Sequence, residues 1–304
     1  MNRPPKEPQP SSLAITPFSD KTPPPIAQTP IGIGEISEHD YHSEPAIHYS
    51  LLKHYARSAD NGYFESWQED TTTPAMKFGS LVHAIALSPG TVTERYLIEE
   101  KKIALKKDGT PYANGMQDRD QAAAWEAAEA EGKYIFDTAT YAAAEEIAAS
   151  AARCINEIYP GIAWNTELSA WTTINGQKYK CKFDAIARSS GRNIALDLKT
   201  TAADITNEKA ILREFYTFGY HIQAALYSLI FRNVLSMDID EFAYIFVSKS
   251  APYISRALIL TKDNITRYIE HELTQALNNY SRANRADYTP TYTLTPITLN
   301  TETI

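Results

Sequence analysis

Cysteine is almost missing from this 304-residue chain, which has only Cys154 and Cys181. Two thiols are too few for a disulfide framework or a four-cysteine metal cluster, so the expected setting is reducing and cytoplasmic. No apolar run reaches the roughly 18 residues needed to cross a bilayer, so no membrane partner is expected. The N-terminus lacks a charged segment followed by an apolar one, and no secretory signal is expected. An excess of positive charge is missing as well: 29 Lys and Arg stand against 37 Asp and Glu, a net charge of −8. That balance excludes a surface coated in cations. It leaves nucleic acid open as a partner, because a phosphate-facing groove needs only a local positive stripe and a divalent-cation site itself adds negative charge.

What is present is a chain long enough for one large core, with an ordinary 43% of hydrophobic residues. Nine of the 17 prolines fall before residue 35, including Pro23-Pro24-Pro25, and the segment shows no periodicity. Residues 1–35 are therefore expected to be a disordered Pro-rich tail, followed by a globular domain over 36–290 and a C-terminal tail over 291–304. Ile47, Leu51, Leu52 and Tyr55 recur at helical spacing, with Ser43 as N-cap. Met76 to Leu87 reads as a short apolar helix bearing His83. Residues 117–131 form an Ala/Glu-rich helix stopped by Gly132, and Thr138 to Ile158 a second, capped by Asp137.

From Thr166 the pattern changes to strands. Leu168 to Ile174, the hairpin signal Asn175-Gly176, Gln177 to Ala187, a turn over Ser189 to Arg192, and Ile194 to Lys199 make a three-stranded meander. A helix over Phe215 to Asn233, strands over Glu241 to Ser248 and Ser255 to Leu260, and a helix over Lys262 to Arg285 complete the chain. The expected class is α/β (α+β), a central mixed sheet flanked by helices.

In the third strand, Asp197 and Lys199 are two apart and share a face, while Leu196 and Leu198 turn into the core. Asp184, near the end of the preceding strand, can lie beside Asp197 across the ladder, and Glu167 opens the first strand. Converging carboxylates suit Mg²⁺ or Mn²⁺, which take hard oxygen ligands. An adjacent ammonium can hold and help deprotonate a water, or neutralise phosphate charge. Alone, an Asp-x-Lys pair is an exposed ion pair and a lone histidine on an apolar helix a core residue. The lysines at 101, 102, 106 and 107 read as a solvated face. Downstream, Tyr220, Gln223 and Tyr227 share one helix face.

The ordered set resembles the PD-(D/E)xK nucleases. It comprises an acidic residue opening a strand, Cys181-Lys182-Phe183-Asp184, an Asp-Leu-Lys-Thr strand and a Gln-x-x-x-Tyr helix. Phe78-Gly79-Ser80-Leu81-Val82-His83, the Ala-rich helix and Tyr159-Pro160 before Glu167 are similar to the RecE-type (exonuclease VIII) branch, over about 36–288. Here Phe183-Asp184 replaces the Pro-Asp pair of the pattern. The resemblance implies a restriction-endonuclease-like core with His83, Asp184, Asp197 and the backbone carbonyl of Leu198 as Mg²⁺ ligands (Mn²⁺ substituting). It implies Lys199 as the catalytic lysine, with Glu167, Gln223 and Tyr227 lining the site. It further implies 5′ to 3′ degradation of double-stranded DNA ends for recombination, delivery of the single strand to an annealing protein, and a ring-like homo-oligomer. An endonuclease on the same core, or a catalytically inactive DNA-binding or assembly module, are the alternatives.

Overall fold

The structure, a computed structural model, describes residues 32–34, 38–66, 72–113 and 115–291. It begins with β1 (Gly32–Gly34), α1 (Glu38–Ser43), α2 (Tyr49–Tyr55), α3 (Ala59–Glu65) and α4 (Pro74–Leu87). A single turn α5 (Val92–Arg95), β2 (Tyr96–Ile98), α6 (Arg119–Ala130) and β3 (Tyr134–Phe136) lead to α7 (Thr138–Ile158). The meander follows as β4 (Asn165–Ile174), β5 (Gln177–Ser189) and β6 (Arg192–Thr201). Then come α8 (Glu208–Thr217), α9 (Tyr220–Leu235), β7 (Glu241–Ser248), β8 (Ser255–Thr261), α10 (Lys262–Tyr268), a π turn over Ile269–Leu273 and α11 (Thr274–Ala283).

Local chemistry fixes the ends of these elements. The Asp137 carboxylate accepts the Thr140 N–H at 2.6 Å and starts α7. Thr73 caps α4, with Pro74 at the first helical position, where its missing N–H costs nothing. Asn175 and Gly176 (φ 49° and 78°), like Ser190 and Gly191 (φ 51° and 81°), take positive φ at both central turn positions. That pairing matches strand twist and closes both hairpins.

The main sheet has the order β1-β4-β5-β6-β7-β8, antiparallel except for the parallel β6–β7 pair, and is therefore mixed, as expected. Helices bury both faces. One face packs Phe183, Phe242, Tyr244 and Phe246 against Ile222, Leu226 and Ile230 of α9. The other packs Leu196, Leu198, Ile245 and Val247 against Leu81 and Val82 of α4 and Ile147 and Ala151 of α7. A strand buried on both faces reads as a near-continuous apolar run, which β6 and β7 do.

Several sequence expectations are corrected. Gly32–Gly34, inside the expected tail, form an edge strand on β4, and Ile33 packs against the core. The rest of residues 1–35, apart from this strand, and the C-terminal segment beyond 291 lie outside the described residues. Ser43 is the last residue of α1, not an N-cap. Pro45 interrupts the helical pattern, and Ile47 is extended, bridging to Tyr179. The helix expected over Phe215 to Asn233 is two helices, broken at Gly219, whose φ of +74° no ordinary helix accommodates.

One feature of the sheet positions the site. Pairing of β5 with β6 stops at Ala185↔Leu196, whereas β6 stays paired with β7 to Thr201↔Ser248 and β5 stays paired with β4 to Gln177. The two strands fork at Asp184 and Asp197. The side-chain alternation also resets there: Phe183 joins the core under α9, yet Ala185 joins the core under α4 and α7. Between Thr166↔Ala185 and Leu168↔Phe183 stands Glu167, whose φ of +57° marks the same break on β4. Beyond the fork the free edge of β5 is taken by Ile47, through Ile47 N–H to the Lys178 carbonyl (2.8 Å) and Lys180 N–H to the Ile47 carbonyl (2.9 Å). The chain then enters α2, which lies over the opening.

Gly62 of α3 meets the buried Tyr55 ring of α2 so closely that an added Cβ would stand 2.1 Å from Cδ1 and 2.3 Å from Cγ. Gly62→Ala is expected to destabilise the protein by about 1–3 kcal/mol, read as a fall in melting temperature by scanning calorimetry. An unchanged melt would show that α2 and α3 part without cost.

Candidate active site

Asp197 is the most enclosed charge in the fork, with its side chain 3% exposed. Gln223, one turn into α9, donates its Nε2 to Asp197 Oδ1 at 2.5 Å. Lys199, two residues on along β6, places Nζ 2.5 Å from Oδ2. Lys199 is the partner of Oδ2 among the described residues, and this ion pair is its compensation. The Lys199 ammonium also lies over the Tyr220 ring, 4.7 Å from its centre.

Asp184 sits where the β5–β6 ladder ends, and its carboxylate takes over as acceptor: the Leu198 N–H donates to Asp184 Oδ2 at 2.7 Å. His83 reaches the same oxygen from α4, with Nδ1 at 3.3 Å. The Asp184 and His83 side chains are 16% and 26% exposed. The cluster therefore opens along the His83–Asp184 side and is closed around Asp197.

Environment pushes the two carboxylates apart. Burial raises the Asp197 pKa to about 6; Lys199 opposes this and the Asp184 charge adds to it. Burial acts upward on Asp184 too, but His83, Lys199 and the Leu198 N–H outweigh it and hold it below the usual carboxylate range. For His83, burial acts downward, yet Asp184 and Asp197 raise its pKa. Burial also acts against a charged Lys199, and Asp197 with its neighbours overrides it, so this ammonium is held firmly protonated.

The structure thus brings together His83, Asp184, Asp197, Lys199 and Gln223. Leu198 is buried and engages Asp184 through its N–H. Tyr227 packs in the core, its ring 5.2 Å from that of Phe183, on the helix face of Gln223. Glu167 is held by Lys182 at 2.6 Å. Sequence reading missed Tyr49 of α2, whose partly buried side chain donates its phenol O–H to the Phe218 carbonyl at 2.6 Å. Burial raises its pKa against the opposing charge of Lys199, and Tyr220 and Asp197 add to the rise. It also missed Glu214 of α8, which accepts from Thr201 Oγ1 at 2.5 Å and ties α8 to the end of β6. Neither had a signal: Tyr49 reaches the site from a helix distant in sequence, and Glu214 from the helix that follows β6.

Two carboxylates and an imidazole are donors of the kind a hard divalent cation accepts, and Asp197 Oδ2, met by Lys199, is one buried oxygen among them. Among the described residues, no three His, Cys, Asp or Glu side chains stand close enough to enclose an ion. The carboxylates are met by Lys199, His83 and the Leu198 N–H instead. The donor set fits such an ion in kind, and binding would exchange the Lys199 contact on Oδ2 for it.

The sequence profile of the family described as a PDDEXK-like domain of unknown function (DUF3799) matches residues 49–294. The chain belongs to this family. No curated protein sequence matches it. Among solved structures, the chain is similar to one named "Putative exonuclease" from Eubacterium rectale, with a TM-score of 0.51 and 18% identity over 85% of this chain and 96% of that one. The structure named SSO0001 (TM-score 0.29, 11% identity, 78% and 81% covered) and protein VC1899 from Vibrio cholerae (0.23, 10%, 83% and 58%) match less well. Membership in the PDDEXK-like family and the fold shared with the Eubacterium rectale protein support the PD-(D/E)xK nuclease superfamily; neither singles out the RecE branch. Among the described residues, no helix is long and apolar enough to cross a membrane.

Because the Asp197 pKa is raised to about 6 from its ordinary value of 3.8, its protonated form favours folding. Its contribution is fully present below about pH 4 and is lost as pH rises to about 6. Asp197→Asn mimics the neutral acid, so in metal-free buffer its stability relative to wild type should rise across that window. The gain should plateau above pH 7 at on the order of 3 kcal/mol. Denaturant titrations at pH 4.5 and 7.5 check this; an equal difference at both pH values would place the Asp197 pKa in the ordinary range.

Proposed function

We propose that this protein is a metal-dependent nuclease that hydrolyses phosphodiester bonds, working as a 5′ to 3′ exonuclease on double-stranded DNA ends. The observation that carries the reading is the buried Asp197, whose Oδ2 has the Lys199 ammonium as its partner among the described residues, beside an Asp184–His83 pair. A buried ion pair of this kind is poorly explained as a stabilising device, because burying an ion pair rarely gains stability. Family membership supports the nuclease class, and the motif resemblance supports DNA ends as the substrate, recombination as the role, and a homo-oligomer acting with an annealing protein.

The roles follow from position and protonation. Asp197, Asp184 and His83 would hold Mg²⁺ or Mn²⁺, with the Leu198 carbonyl as a further donor. Such an ion supplies Lewis-acid polarisation of the phosphate and a more acidic water. Gln223 fixes the Asp197 carboxylate through Oδ1 and leaves Oδ2 for the ion. Lys199, held protonated, is a cation rather than a base: it orients the attacking water or neutralises charge on the phosphate in the transition state. The Tyr220 face keeps that ammonium in place. Glu167 and Tyr227 shape the surroundings of the cluster.

Cleavage of end-labelled linear duplex should require Mg²⁺ or Mn²⁺ and stop in excess chelator, and closed circular DNA should resist. Lys199→Ala should lower turnover by on the order of 10²–10³-fold while retaining Mn²⁺ binding by calorimetry. Asp184→Ala should weaken Mn²⁺ binding and turnover together. Chelator-resistant cleavage, or parental turnover by Lys199→Ala, would overturn the assignment; efficient nicking of circles would make the enzyme an endonuclease.

A further inference from the structure

Next to the catalytic cluster, α2 and α3 wall a pocket of about 200 Å³ lined by Lys53, His54, Arg57, Asn61, Glu65, Thr217 and Phe218. Its charges are unequal in kind. Glu65, the one acidic lining residue, is already engaged by His54 and by Asn61 Nδ2 at 2.9 Å. Lys53 and Arg57 have no ion pair or hydrogen bond to a side chain among the described residues. Two cations without an ionic partner among the described residues therefore face the space, in a chain whose overall charge is negative.

The opposite wall is aromatic. Phe218 lines the pocket and is 52% exposed. Its ring stacks on Tyr220 (centres 5.7 Å apart, planes at 28°), Tyr220 stacks on Tyr244 (5.5 Å, 22°) and Tyr244 on Phe242 (5.0 Å, 25°). Four rings form a column rooted in the core, with its outer end open to solvent. The turn that carries Phe218 is fixed by Tyr49, which donates to the Phe218 carbonyl, and by Lys53, whose stem lies against Gly219. Lys199 stands over the second ring of this column.

We propose that this pocket is a nucleotide subsite that holds one unpaired nucleotide of a nucleic-acid strand, its base stacked on Phe218 and its phosphate between Lys53 and Arg57. Stacking on an aromatic end is sequence-tolerant because every base has a π face, and two cations track the backbone. The subsite deepens the nuclease reading and rests on it for the direction of the strand: a nucleotide stacked on Phe218 places the adjoining phosphate toward Lys199. It commits the site to a strand with at least one unpaired base at that point, so a blunt duplex must fray to fill it.

The test is fluorescence anisotropy with the full chain in chelator, where no cleavage occurs, using labelled oligo(dT)12 and a blunt hairpin duplex as probes. Oligo(dT)12 should bind more tightly than the blunt hairpin. Phe218→Ala should weaken oligo(dT)12 binding about tenfold, Phe218→Trp should restore it, and Phe218→Leu should not. Lys53→Ala with Arg57→Ala should weaken binding and reduce the salt slope by about 0.7, the share of the one phosphate they hold. Tyr112→Ala, an exposed aromatic elsewhere, should bind like wild type. Wild-type affinity in Phe218→Ala, rescue by leucine as good as by tryptophan, or no oligonucleotide binding at all would each overturn the subsite. Because these readouts need neither metal nor turnover, they stand apart from the cleavage assay: a wild type that binds as described but never cuts refutes the nuclease reading and leaves the subsite in place.

Discussion

The Asp197 carboxylate, closed off from water between the Lys199 ammonium and the Gln223 amide, is the interaction around which the rest of the molecule is arranged. A buried carboxylate is costly, and one partner alone would leave it under-compensated. Its two oxygens are divided between the two partners: Oδ1 receives a hydrogen bond from α9, and Oδ2 faces a cation on its own strand. That division requires α9 to cross β6 at Gln223. The parallel β6–β7 connection through α8 and α9 provides it, with Gly219 breaking the helix so that the second half can turn onto the sheet.

The fork between β5 and β6 is the second necessity. Had the ladder continued past Ala185↔Leu196, the Leu198 N–H would have been spent on a backbone partner and Asp184 would have been one more side chain on a pleated strand. Instead the strands part, Asp184 takes that N–H, and His83 arrives from α4 on the same oxygen. The opening is finished by a segment far away in sequence: Ile47 occupies the abandoned edge of β5, and α2 lies over the gap with Tyr49 near Lys199. The buried Lys180 secures the same junction by donating to the Tyr41 and Glu44 carbonyls at the end of α1 (2.6 and 2.7 Å).

Electrostatically the cluster is asymmetric. Asp184 is biased toward ionisation and Asp197 toward protonation near pH 6, so the metal-free site carries less negative charge than its two carboxylates imply. Groups whose environments separate their pKa values in this way are the mark of a site built for chemistry rather than for packing. The aromatic column of Phe218, Tyr220, Tyr244 and Phe242 then links the site to the surface, with Lys199 over its second ring.

Much of this was legible in the chain. Period-2 alternation with Asn175-Gly176 announced the meander, strands were expected where β6 and β7 lie, and strand geometry put Asp197 and Lys199 on one face. These are local properties: turn conformation, pleat and helix period depend on neighbouring residues, and the sequence supplies those in order. Pro45 and Gly219 marked real breaks that the helical spacing around them concealed, because a periodic pattern runs through a breaker unchanged. What only the tertiary structure decided was everything that depends on strands parting or on distant helices arriving. Strict alternation left no way to foresee that the pleat resets at Asp184 and Glu167. Nor could it show that Asp184 would accept from Leu198, that Tyr49 and Glu214 would border the cluster, or that Lys53, Arg57 and Phe218 would share one pocket. Such contacts are set by long-range pairing and packing, where no residue's own neighbours carry the information.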